Sequence, residues 1–228
     1  MSDTATEPLK IAFHFDVMCP WAYQTAKWIR TVRETVPLDI DWRFFSLEEI
    51  NREDGKKHPW EREWSYGWGM LRVAAMLRRT SMDDCDRFYE AAGKALHEDG
   101  RKPHRPEVAE EICEELGIDP AVVRAAIEDE TTHDDVKADH DAIVHSGGFG
   151  VPTIIFPGDR QVYGPVVAPA PVGQEALDLW DLTVAYSKVN RLYELKTPKT
   201  DEDMGHIATV FKPYFEAREW ESREKPAR

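Results

Sequence analysis

Between residues 10 and 44 the apolar side chains change period twice, and this constrains the fold more than any other feature of the chain. Ile11, Phe13 and Phe15 alternate with polar neighbours, the signature of a strand. From Pro20 the spacing becomes helical, with Trp21, Trp28, Ile29, Val32 and Val36 on one face until Pro37 stops the run. Leu38, Ile40, Trp42 and Phe44 then alternate again. Strand, helix and strand in this span form a βαβ unit, which requires parallel strands and a right-handed crossover. The first strand ends in a turn, residues 17–20, that carries Cys19.

Residues 60–146 read as helical throughout. Trp60, Trp64, Trp68, Met70, Leu71, Ala74 and Leu77 fall at helical spacing, and residues 83–97 continue with Phe88, Ala91, Ala92 and Ala95. Gly100, Pro103 and Pro106 mark a loop, Gly117 ends a short helix, Pro120 opens another, and Gly147-Gly148 ends a polar helix over 132–146. Strand character returns at 151–156, turns at 157–159 and pairs back at 161–163. An amphipathic helix follows over 175–188. Residues 198–228 are highly charged, with a helix near 203–222. The fold class is α/β, in the order βαβ, helical block, α, ββα.

Composition removes several functions. Of 228 residues, 29 are Lys or Arg and 43 Asp or Glu, a net charge of −14. Nucleic acid and anionic membrane surfaces are poor partners for such a chain, because phosphate binding depends on clustered positive charge. No stretch approaches the ~18 apolar residues of a membrane helix, and residues 1–10 lack the apolar core of a signal peptide. The three cysteines, Cys19, Cys85 and Cys113, are widely spaced and include no Cys-x-x-Cys pair. Reduced thiols and a cytoplasmic location are expected.

Cys19 lies between the end of a strand and the first turn of a helix, with Pro20 at the N1 position, where its missing N–H costs nothing. Free backbone N–H groups and the helix dipole favour a thiolate there, so a pKa well below about 8.5 and a nucleophilic role are expected, against the alternative of a small buried apolar side chain. Pro152 interrupts an apolar strand. Either the Val151-Pro152 bond is cis, exposing backbone groups to a partner, or the strand lies at an edge. His14 and Asp16 share one strand face close to Cys19, as a thiol-tuning or proton-relay pair or as a strand-end hydrogen bond. Trp21 is either an aromatic wall for a flat substrate or helix packing. Trp60, Trp64 and Trp68 suit a core stripe, with Trp68 the best ligand candidate.

No metal is expected. His133, His140 and His145 lack ligand spacing, and Asp134, Asp135, Asp139 and Asp141 read as a solvated helix face. The glycines at 147, 148 and 150 do not follow the order of a dinucleotide loop, so no tightly bound nicotinamide or flavin is indicated.

The segments Phe15-Asp16-Val17-Met18-Cys19-Pro20-Trp21 and Gly148-Phe149-Gly150-Val151-Pro152-Thr153, with Tyr163-Gly164-Pro165, resemble the DsbA-like branch of the thioredoxin superfamily. Within it the chain looks most like the mycothiol-dependent nitroreductases, over about residues 11–199; it is more distantly similar to hydroxychromene-carboxylate isomerases and kappa-class glutathione transferases. The resemblance implies a thioredoxin-like domain (residues 1–58 and 147–200), an all-helical insertion (59–146) and a charged C-terminal extension (201–228). It also implies a cis bond before Pro152 facing Cys19, and a thiol or substrate site formed by Pro20, Trp21, Trp68, Val151, Pro152 and Thr153. Dithiol members carry Cys-Pro-Trp-Cys, whereas this chain has Ala22 at the fourth position. Single-thiol chemistry at Cys19 follows, with mycothiol or glutathione as cosubstrate and a mycoredoxin-like reductase as a partner. The alternatives are a thiol-dependent isomerase or transferase acting on aromatic substrates and a non-catalytic binding module.

Overall fold

A computed structural model describes residues 7–62 and 65–223. Strand β1 (Leu9–Phe15) leads through helix α1 (Pro20–Arg33) to β2 (Leu38–Phe44), the anticipated βαβ unit. A short helix α2 (Leu47–Ile50) follows, then a 3-10 turn (Pro59–Glu61). Five helices come next: α3 (Tyr66–Arg78), α4 (Met82–His97), α5 (Pro106–Glu115), α6 (Ala121–Glu128) and α7 (Thr131–His145). The chain then forms the hairpin β3 (Thr153–Phe156) and β4 (Arg160–Tyr163), helix α8 (Gly173–Ser187) and helix α9 (Asp201–Arg223).

The sheet order is β2-β1-β3-β4, with β1 parallel to β2 and antiparallel to β3. Phe13 sits opposite Trp42, Phe15 opposite Phe44 and His14 opposite Thr153. Strand β1 is therefore central, and its polar-looking face is covered as well: His14 is as buried as Phe13. Period two identified the strand but could not show that both faces lie inside.

The helical insertion shares the main core. Tyr89 of α4 stacks on Phe15 with ring centroids 3.8 Å apart and meets Trp42 edge-on at 5.5 Å. Burying such a ring contributes on the order of 1.5–3 kcal/mol. On the other side of α1, Trp28 donates its indole N–H to the Ala176 carbonyl at 2.9 Å and packs against Trp180 of α8.

Helices α1 and α4 come close at Gly93, where a Cβ would lie 2.5 Å from Cδ2 of Tyr23. That ring is held: it stacks on His97 at 4.9 Å, and its hydroxyl donates to Glu98 at 2.9 Å. Gly93→Ala gains helix propensity worth at most about 1 kcal/mol, yet it is expected to lose about 1–3 kcal/mol net by overpacking. Thermal unfolding checks this; an unchanged or higher melting temperature would show that the ring gives way freely.

Two expectations need correction. The helix does not begin at Trp60: that residue lies in the 3-10 turn, Ser65 is extended, and α3 starts at Tyr66. Trp64 lies outside the described residues. The rings of Trp60 and Trp68 still meet at 5.1 Å, but across a turn rather than along one helix face. Nor is the acidic face of α7 simply solvated. Asp139 pairs with Arg78 and accepts the Phe44 N–H at 3.1 Å, while Asp135 pairs with Arg79 at 2.6 Å. These aspartates tie α7 to α3 and to strand β2.

Candidate active site

The turn after β1 is built by Asp16. Its buried carboxylate accepts the Met18 N–H at 2.9 Å through Oδ1 and the Leu47 N–H at 2.7 Å through Oδ2, joining the turn to the start of α2. The Asp16 carbonyl accepts the Cys19 N–H at 2.9 Å. Cys19 thereby reaches an extended conformation, φ −88° and ψ 110°, and becomes the N-cap of α1. Its sulfur does what a capping oxygen usually does, accepting the Ala22 N–H at 3.4 Å.

Opposite it, the Val151-Pro152 bond is cis, and the Cys19 thiol points its hydrogen at the Val151 carbonyl, 3.5 Å from Sγ. Gly164 donates its N–H to the Pro152 carbonyl at 2.9 Å, and Thr25 donates to the Pro165 carbonyl at 2.7 Å, so the Tyr163-Gly164-Pro165 segment is tied to both the proline loop and α1. Thr153 spends its hydroxyl on the Gly150 carbonyl at 2.7 Å. Cys19 is only 5% exposed and shares a buried cluster with Phe45, Ala22, Ile143 and Val151, while Pro20 and Trp21 beside it are half-buried.

This burial reverses the expectation for the thiol. Removal from water pushes the Cys19 pKa up to about 12; the N–H groups of Ala22 and Trp21 pull it down, and the charge of Asp16 pushes it further up. The helix terminus does act in the anticipated direction, but desolvation outweighs it. In this geometry the proton stays on sulfur.

The other sequence candidates fall as follows. His14 directs Nδ1 at the Phe44 carbonyl, 3.4 Å away, and burial lowers its pKa to about 4, so it is neutral at pH 7. Trp68 is fully buried; its indole N–H donates to His133 at 2.7 Å and its backbone N–H to Glu48 at 2.9 Å. Trp21 meets Phe211 of α9 edge-on, with centroids 4.7 Å apart. Cys85 and Cys113 are buried and free. Among the described residues no group of three or more His, Cys, Asp or Glu side chains is placed to hold a metal, and no helix is long and apolar enough to cross a membrane.

Several residues at the site were not singled out in advance. Burial raises the pKa of Tyr163, and Cys19 is close enough to add to the shift; Tyr163 is half exposed and packs on exposed Phe149 at 4.7 Å. His97 donates Nε2–H to the Val17 carbonyl at 2.8 Å, two residues before Cys19. Tyr163 belonged to a motif already quoted, whereas His97 lay at the end of an ordinary helix with nothing local to mark it.

A parallel βαβ unit extended by an antiparallel hairpin, with a cysteine capping its first helix against a cis proline, is a thioredoxin-like, DsbA-like fold carrying a helical insertion. Residues 18–197 match the family described as Rv2466c-like, mycothiol-dependent nitroreductase Rv2466c, and the chain belongs to that family. It is 49% identical over 212 residues to a Mycobacterium tuberculosis protein named uncharacterized protein Rv2286c, covering 93% of this chain and 92% of that one.

Solved structures share the fold at low identity. A 2-hydroxychromene-2-carboxylate isomerase has a TM-score of 0.57 at 15% identity, over 79% of this chain and 95% of its own. The cytosolic disulfide reductase DsbM of Pseudomonas aeruginosa, solved with GSH, has 0.55 at 12%, over 78% and 100%. A probable DsbA oxidoreductase, SCO1869 of Streptomyces coelicolor, has 0.54 at 16%, over 84% and 94%. Family membership places the chain among thiol-dependent oxidoreductases.

Proposed function

We propose that the protein works as a monothiol oxidoreductase in which Cys19 is the nucleophile and a low-molecular-weight thiol, mycothiol or glutathione, is the cosubstrate. The observation that carries this reading is the pairing of a helix-capping Cys19 with Ala22, whose N–H, rather than a second thiol, faces the sulfur. The other two cysteines are buried in the insertion. With no resolving thiol in the motif, the adduct on Cys19 must be released by a thiol from solution.

The chemistry balances for a mixed-disulfide substrate. The Cys19 thiolate attacks the small-thiol sulfur, a new S–S bond forms on Cys19, and the substrate leaves as a thiolate. A second small thiol loses its proton and attacks that bond, regenerating the Cys19 thiolate and releasing the symmetrical disulfide. One substrate disulfide is reduced and the small thiol is oxidised. The N–H groups of Ala22 and Trp21 hold the thiolate once its proton has left, and a partner seated at Val151 takes the place of the thiol's present hydrogen-bond acceptor.

Incubating the protein with the oxidised forms of mycothiol and glutathione, followed by intact-mass and peptide analysis, tests the reading. A single adduct on Cys19, removed by excess of the reduced thiol and absent from Cys19→Ser, is expected. An unmodified Cys19 with both disulfides would overturn it. Turnover of an aromatic substrate that requires a thiol but consumes none would move the protein to the isomerase class. Partner binding that survives Cys19→Ser without turnover would make it a binding module.

A further inference from the structure

Helix α9 lies beyond the residues that match the family, which end at 197, yet it reaches both flanks of Cys19. Phe211 packs edge-on against Trp21, two residues after the cysteine, with an interplanar angle of 87°. Three residues on, Tyr214 meets the ring of His97 at 4.9 Å, and His97 holds the carbonyl of Val17, two residues before the cysteine. Phe211, Tyr214 and Ala217, each 4–5% exposed, form one buried stripe at helical spacing, whereas Met204 and Phe215 of the same helix are more than half exposed. The helix is thus seated by this stripe against α4 and the start of α1, while most of the other side chains over residues 201–217 are exposed.

The location of the contact gives it a chemical consequence. The sulfur of Cys19 is buried, and its neighbours Pro20 and Trp21 are the half-exposed rim beside it. A partner approaching along that rim meets Trp21, and the position of the indole is set from outside by Phe211. An edge-to-face pair of this kind favours one indole orientation several-fold.

We propose that Phe211 is a positioning residue: by clamping Trp21 it sets the size of the partner that reaches Cys19, and α9 thereby adds a selectivity wall to a site whose chemistry lies within residues 18–197. The inference rests on Cys19 being the reacting group, and it narrows the partners of that group to small thiols and compact electrophiles.

The test compares wild type, Phe211→Ala and Phe211→Tyr as full-length chains, each treated with iodoacetamide and with a fluorescein-bearing maleimide. The modification rate is followed at Cys19 and at buried Cys85 and Cys113 by peptide mass spectrometry. In Phe211→Ala the bulky-to-small rate ratio at Cys19 is expected to rise several-fold, while Cys85 and Cys113 stay unreactive and Phe211→Tyr keeps the wild-type ratio. Rescue by tyrosine and silence at the other two cysteines separate positioning from general loosening. An unchanged ratio at a reactive Cys19, or all three cysteines gaining reactivity together, overturns this inference alone. A Cys19 silent toward both reagents in every variant overturns the nucleophile reading and this one with it.

Discussion

Alkylation of Cys19 in the folded protein is expected to accelerate about tenfold for each unit of pH between 7 and 10, without levelling off. The reacting species is the thiolate, and below its pKa the thiolate fraction grows in proportion to hydroxide concentration. Burial pushes the Cys19 pKa up to about 12, so the whole interval lies below it. In urea the same cysteine should follow an ordinary thiol, its rate flattening above about 8.5. Two rate profiles with a small iodoacetamide reagent, one native and one denatured, check this. A native profile that flattens before pH 9 would show that the N–H groups of Ala22 and Trp21 outweigh desolvation and that the sulfur is more open than its 5% exposure implies.

The functional consequence is a resting thiol that is protected. A thiol held protonated against the Val151 carbonyl reacts slowly with stray oxidants, because susceptibility follows thiolate character and exposure. Cys19 shares its buried cluster with Phe45, Ala22, Ile143 and Val151, which limits access to it. The site thus combines a helix terminus suited to a thiolate with surroundings whose desolvation disfavours it.

What could be read in advance was what local patterning controls. Ile11, Phe13 and Phe15 against Leu38, Ile40, Trp42 and Phe44 specified parallel strands because side-chain period and chain connectivity leave little alternative. Cys19 announced itself by standing before a proline at the first turn of α1. The less legible features depend on tertiary neighbours. Asp16 suggested a tuning partner, and its charge does raise the Cys19 pKa, but the backbone N–H groups that its carboxylate accepts come from Met18 in the cysteine turn and from Leu47 at the start of α2, thirty-one residues away, which no local pattern links to it. Trp60 matched helical spacing to Trp68 by coincidence, since a turn brings the same rings together. Residues 203–222 read as a helix in a charged segment, but nothing marked Phe211, Tyr214 and Ala217 as its buried face, because their partners Trp21 and His97 lie more than a hundred residues away in sequence. The direction of the Cys19 shift was missed for the same reason: helix position is local, burial is not.

Asp86→Ala is expected to destabilise the protein by about 3–5 kcal/mol, lowering the melting temperature by roughly 10 °C. Asp86 of α4 accepts Nε of Arg30 at 2.8 Å and pairs with Arg33 at 2.8 Å, so one buried carboxylate holds two guanidinium groups from the last turns of α1. Arg30 is itself buried and lies over the rings of Trp42 at 4.7 Å and Tyr89 at 5.1 Å. Removing the carboxylate leaves that charge inside the core without a counter-ion, which costs more than the pair contributes, because the desolvation of Arg30 remains. Arg33, more exposed, turns to water. The double change Arg30→Met with Asp86→Leu should therefore be less destabilising than Asp86→Ala alone; denaturant unfolding of wild type, Arg30→Met, Asp86→Leu and the double variant gives the coupling. Asp86→Ala within about 1 kcal/mol of wild type would show that the ion pair does not anchor α1. The same helix holds the other end of the segment, since His97 of α4 bonds Val17 just before Cys19. Helix α4 thus fixes α1 at its C-terminus through Asp86 and the cysteine turn through His97, which makes the helical insertion part of the frame that sets the position of the sulfur.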